Sequence, residues 1–176
     1  MTVPAPGLGT LLASRLRLRH CAEVGPGTLA HGKLYIRGEG RIRLGARVVL
    51  DGRRTPIELH VGAGAELVID DDVHIEGGTS IEALQRVHIG ARSHVGGFCK
   101  ILDNHFHQVN GNRLERPSSV PVEVNEEVVL GARSILLPGA HLGAGTVVHS
   151  GTVVSRRFPP GVELSGVPAS ARRRSP

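Results

Sequence analysis

The sequence predicts an all-β fold, a parallel β-solenoid whose triangular coils are built from six-residue steps. Three observations carry this. First, an aliphatic residue recurs at every sixth position through Val124, Leu130, Leu136, Leu142, Val148 and Val154. Second, the fourth residue after each is small or β-branched, as in Val128, Ser134, Ala140, Thr146 and Thr152. Third, 40% of residues are apolar while aromatics make up only 2% and tryptophan is absent. A globular core normally fills its volume with several large rings, whereas a narrow prism lined by aliphatic residues needs none.

A six-residue period is neither the 3.6 of a helix nor the 2 of a plain strand. It fits one short flat strand plus one corner, and three such units close a turn that is stable only when stacked on its neighbours. The same register appears earlier, in Ile89, Val95 and Ile101 with Ser93 and Cys99 in the small slot, and in Ile69, Ile75 and Ile81 with Val73 and Thr79. Val61 with Gly62 and Ala65, and Leu44 with Gly45 and Val48, read as looser coils. Asn125, Gly131 and Gly143 directly follow their aliphatic residues and are expected to turn the corners at positive φ. Residues 1–20 are expected to form a cap with a short helix through Leu11, Leu12, Leu16 and Leu18, and residues 21–160 the solenoid. Phe158-Pro159-Pro160-Gly161 is expected to stop the last coil, because proline cannot donate to a ladder, leaving residues 161–176 as a tail that folds back.

At 176 residues the chain fits one domain. Its formal charge of +5 is nearly all arginine, densest at Arg172, Arg173 and Arg174, and forms no stripe. Without a recognition module or stacking aromatics, no nucleic-acid partner is expected. Two cysteines, Cys21 and Cys99, offer neither a disulfide framework nor metal spacing. Cys99 falls in an inward slot and reads as core. No stretch resembles a signal peptide or reaches the roughly 20 apolar residues of a membrane span. The expectation is a cytoplasmic protein with no membrane partner and no required metal.

The informative break lies between Ile101 and Val124, where residues 103–121 form a polar insertion. An insertion in a solenoid becomes a loop leaving one corner, often on the binding face. This one opens with Asp103-Asn104-His105-Phe106-His107, two imidazoles and a carboxylate beside a rigid scaffold, as a general base requires.

The stretch Ile101-Leu102-Asp103-Asn104-His105-Phe106-His107 resembles the active-site segment of the hexapeptide-repeat acyltransferases, in particular the maltose, galactoside and capsular-polysaccharide O-acetyltransferases. Pro121-Val122-Glu123-Val124, Leu130-Gly131-Ala132, Leu136-Leu137-Pro138-Gly139 and Ser165-Gly166-Val167-Pro168-Ala169 follow in that family's order, so the resemblance covers roughly residues 60–174. It implies a left-handed β-helix, a homotrimer with sites between subunits, and an acetyl- or other acyl-CoA donor. The family's catalytic histidine matches His107, which would take a proton from a sugar hydroxyl or an amine as it attacks the thioester. Asp103 would orient an imidazole, or merely turn the chain. The backbone N–H of Ala132, next to Gly131, would hold the oxyanion. Ser150 and Ser155 match positions along the pantetheine arm, and Arg156 and Arg173 positions near the nucleotide phosphates. Glu76, where some members have Asn, and Asn104 are the candidate acceptor contacts.

There are departures. His105 stands where the family often has Asp, so two histidines compete for one role. His149 replaces a small residue in the last full coil. Glu76 adds a charge that favours a cationic or amine acceptor, so N-acylation of an amino sugar stands beside O-acylation. Two other readings use the same prism. A γ-type carbonic anhydrase needs three histidines on zinc, but its pair of histidines five apart is missing. A non-catalytic scaffold has no use for the His107 segment. His60, His74 and His88 recur every fourteen residues, which does not match the coil.

Overall fold

The computed structural model describes residues 7–105, 114 and 117–173. From Glu23 onward the chain winds as a parallel solenoid of about seven turns. Its core is three columns of inward aliphatic residues, one for each face of the prism. The first face stacks Val24, Leu44, Ile69, Ile89, Val124, Leu142 and Phe158. The second stacks Ala30, Leu50, Ile75, Val95, Leu130, Val148 and Leu164. The third stacks Ile36, Leu59, Ile81, Ile101, Leu136 and Val154. From the second coil onward every member is at most 6% exposed, and full burial of such a side chain stabilises by about 1.5–3 kcal/mol. The strand Val49–Val61 runs around a corner and serves two faces.

The small slots hold the corners. Thr28 Oγ1 donates to the Gly45 carbonyl at 2.7 Å, Ser93 Oγ to Asn125 at 3.1 Å, and Ser134 Oγ to Gly131 at 2.7 Å. Cys99 lies fully buried in this series, its thiol donating to the Gly131 carbonyl at 3.3 Å. Burial pushes the thiols of both Cys99 and Cys21 up to about 11. A thiol that high is almost wholly protonated at pH 8. Iodoacetamide is therefore expected to modify neither cysteine in the native protein at pH 8, and both after unfolding in urea, read by intact mass. Rapid native labelling of Cys99 would remove it from the core.

The corners differ from the sequence expectation. Positive φ falls not on Asn125, Gly131 and Gly143 but two residues later, at Glu127 (60°), Arg133 (60°) and Gly145 (67°). Gly131 is required for another reason: a Cβ there would lie 2.5 Å from the Ser150 backbone nitrogen of the next coil. The six non-glycine residues at positive φ pair across neighbouring coils. Arg47 grips Asp72 through two hydrogen bonds of 2.6 and 2.5 Å, Arg92 meets Glu127 at 2.9 Å, and Arg133 lies 5.9 Å from the centre of the Phe98 ring. Each left-handed residue costs about 1–2 kcal/mol, and pointing outward lets it meet a partner that offsets part of this.

At the two ends the chain departs from the repeat. The helix Leu8–Arg17 closes the first coil, with Leu18 buried beneath it and Ser14 Oγ accepting the Ala30 N–H at 3.1 Å. Pro159 and Pro160 do not stop the winding. They sit in a corner, and Val162–Ser165 continues the second face before pairing antiparallel with Ser170–Arg173. Prolines are tolerated there because the corner's ladder bond comes from Gly161, whose N–H donates to Ala144 at 2.9 Å.

Candidate functional site

His107 lies outside the described residues; the root from which it departs is described. After the strand Lys100–Leu102, Asp103 turns its side chain into the prism and is fully buried. Its carboxylate accepts three backbone N–H groups, Leu84 at 2.8 Å and Gln85 and Arg86 at 2.7 Å each. Its carbonyl accepts the Val120 N–H at 2.7 Å, and the Val120 carbonyl in turn accepts that of Gly139 at 3.1 Å. Asp103 and Val120 thus pinch the insertion shut at its neck. Among the described residues both carboxylate oxygens are engaged by backbone N–H groups, so Asp103 fixes the root of the loop. Asn104 is also fully buried, with Nδ2 3.5 Å from Asp103 and no partner for Oδ1 among the described residues, while His105 is exposed.

The remaining predicted residues divide between two corners. Glu76, Gly131, Ala132 and Ser150 line the corner between the second and third faces. Along it Gly77 accepts the N–H of Phe98 at 3.1 Å, Gly97 that of Arg133 at 2.9 Å, and Ala132 that of Gly151 at 2.9 Å. The Ala132 N–H, the candidate oxyanion donor, is not used in this ladder among the described residues. Ser155 and Arg156 stand at the other edge of the third face, with the loop root. Arg156 lies over the Phe158 ring at 4.9 Å. At about 3.3 Å per residue, the five steps from Ala132 to Leu137 separate the two edges by about 17 Å. The backbone of Arg173 lies in the terminal hairpin opposite Val162. His149 faces solvent 3.4 Å from Glu163.

Beside the first of these corners is a cleft of about 790 Å³, lined by Asp51, Arg53, Arg54, Thr55, His74, Glu76, Gly77, Gly97 and Phe98. One wall is an excursion inside the strand Val49–Val61, carrying Arg53, Arg54 and Thr55. Glu76 accepts the Gly97 N–H through Oε2 at 2.9 Å and meets His94 Nε2 through Oε1 at 3.0 Å. The His94 ring packs edge-on against His74, with centroids 5.1 Å apart. Burial, then the neighbouring His94, pulls His74 below its usual value of 6.5, so it is neutral at pH 7. Such a histidine favours the folded state less as pH falls below that value. A hydrogen bond from Arg53 holds Asp51 down at about 2. The benefit of that pair is complete above about pH 4 and is lost as pH falls through 2. The pairing of His74 with His94 is not evident in the sequence because the two lie a whole coil apart. Of the fourteen-residue series, His60 is on the third face, His74 on the second and His88 on the first.

No known family profile matches the chain. Among curated proteins it is similar to the 2,3,4,5-tetrahydropyridine-2,6-dicarboxylate N-acetyltransferase of Clostridium perfringens, 35% identical over 83 residues, or 47% of this chain and 29% of that protein. The Staphylococcus aureus enzyme of the same name is 36% identical over 56 residues, or 32% of this chain and 23% of its own length. The chain therefore matches less than a third of the length of these relatives. Among solved structures, AntD, an N-acyltransferase from Bacillus cereus in complex with dTDP and coenzyme A, superposes with a TM-score of 0.76 at 18% identity, over 92% of this chain and 88% of AntD. The hexapeptide-repeat acetyltransferase VCA0836 of Vibrio cholerae with acetyl coenzyme A gives 0.67 at 17% identity over 96% and 79%. The polysialic acid O-acetyltransferase OatWY gives 0.60 at 20% identity over 86% and 87%. The chain has the left-handed parallel β-helix fold of these solved structures.

Proposed function

We propose that the chain transfers an acetyl or other short acyl group from coenzyme A to a sugar acceptor, with His107 as general base. The observation that carries this is the continuity of one corner: the line of Gly97, Ala132 and Ser150, along which the thioester would lie, opens at one end into the cleft holding Glu76. The acceptor's nucleophile attacks the thioester carbonyl while the imidazole takes its proton. The Ala132 N–H receives the oxyanion, and the intermediate collapses as the imidazolium returns that proton to the departing sulfur, releasing the thiol. The loop root and the Ala132 corner stand at opposite edges of one face, so the reading includes a homotrimer in which one subunit's loop reaches its neighbour's corner.

Sugar O-acylation and N-acylation of an amino sugar both fit this scheme, and the Glu76 carboxylate favours the amine because it can hold the ammonium form before the proton is removed. AntD, crystallised with dTDP-4-amino-4,6-dideoxyglucose, makes a nucleotide-linked amino sugar the first acceptor to try. Incubation with acetyl-CoA and a panel of amino and neutral sugars, followed by mass spectrometry, is expected to show acylation of amines. Glu76→Gln is expected to lower kcat/KM for the amine about tenfold, the loss of one charge-assisted contact. Acylation of neutral sugars at equal rate, unaffected by Glu76→Gln, would reject the amine assignment. Products from neither class would reject the activity.

A further inference from the structure

We infer that the N-terminal end of the prism lies against an anionic lipid surface. The helix Leu8–Arg17 uses only one side to cap the first coil, through Ser14 and the partly buried Leu11, with Leu18 following. On its other side Leu8, Leu12 and Leu16 are 76%, 64% and 64% exposed. At 100° per residue these three cover about 80° of the helix, a continuous stripe. Isolated exposed leucines mean little, but three in register on a short helix form a patch that water disfavours.

The surroundings indicate what covers it. Arg15 borders the stripe, Arg19 follows the last turn, and Lys33 and Arg37 are exposed on the first coil. Among the described residues none of these four has a carboxylate within ion-pair distance, and Glu23 is already engaged by Arg43 at 3.0 Å. A second copy docking end to end would bring two such cationic rims together, which opposes that occupant. An anionic bilayer satisfies both features, taking the leucines at the headgroup boundary and the cations at its phosphates. No helix among the described residues is long and apolar enough to cross a membrane, and lying on a surface requires no such helix.

The test is co-sedimentation of the full chain with vesicles of phosphatidylcholine alone or mixed with phosphatidylglycerol, at low and high salt. Binding is expected only with phosphatidylglycerol, weakened by salt, and reduced about tenfold or more by Leu12→Glu or by Arg15→Glu with Arg19→Glu. Acyl transfer to a soluble acceptor and the melting temperature are expected to stay unchanged in these variants, which separates this inference from the proposed function. Equal binding by wild type and both variants overturns it, as does binding independent of phosphatidylglycerol. A wild-type assembly that loses mass in sedimentation on Leu12→Glu also overturns it, by naming a second copy as the occupant.

Discussion

His107→Ala is expected to lower kcat by about 10²–10⁴-fold, the usual contribution of a positioned general base, while leaving the melting curve and oligomeric state of the wild type. The asymmetry follows from the architecture. Stability resides in stacked aliphatic columns and their ladders, which the insertion leaves undisturbed: Ile101 pairs with Ile81 on one side and Leu136 on the other. His105→Ala is the companion measurement. His105 is exposed at the loop root, and as a supporting residue its loss is expected to cost far less than that of His107. Full activity in His107→Ala with collapse in His105→Ala would transfer the base role. Full activity in both would end the assignment of a loop histidine as the base.

Asp103→Ala is expected to have the largest effect on stability, about 3–5 kcal/mol by urea or thermal unfolding, because removing this buried carboxylate strips three backbone N–H groups of the only side-chain acceptor they have among the described residues. Asp103→Asn is expected to recover only part of this, since an amide nitrogen would face one of those donors. Activity should fall as well, because the neck that aims the loop is closed by the same residue. A change within about 0.5 kcal/mol, the range of ordinary surface substitutions, would show that the carboxylate's bonds are replaced by water without consequence.

The repeat was legible wherever the spacing stayed at six. From Val124 onward, inward aliphatic residues have no freedom: one position of slip turns a column out to solvent. The first coils were harder to read because Leu50 and Leu59, consecutive column residues of the second and third faces, stand nine apart around the excursion at residues 51–56. Corner chemistry was misread for a physical reason. Where a glycine follows the aliphatic it is required because the next coil's backbone passes over it, as Ser150 does at Gly131. The positive-φ residue points to solvent, where Arg, Glu or even Phe is tolerated beside a partner. The Glu76–His94 pair was invisible to motif reading because it joins residues one coil apart. The offset between Ile75 and Val95 would have placed His74 beside His94. Asp103 stands out in the sequence as a carboxylate beside two imidazoles, and in the structure its side chain supports the scaffold.

The neck formed by Asp103 and Val120 leaves the pitch of the prism indifferent to what hangs beyond it: Ile89 meets Val124 and Val95 meets Leu130 as though the intervening segment were absent. The insertion is therefore a cassette in a fixed socket. Its length and composition are free to drift, or to be exchanged by design, without re-indexing a single coil, so specificity in such a chassis can change on one side of a wall while the foundation stays still.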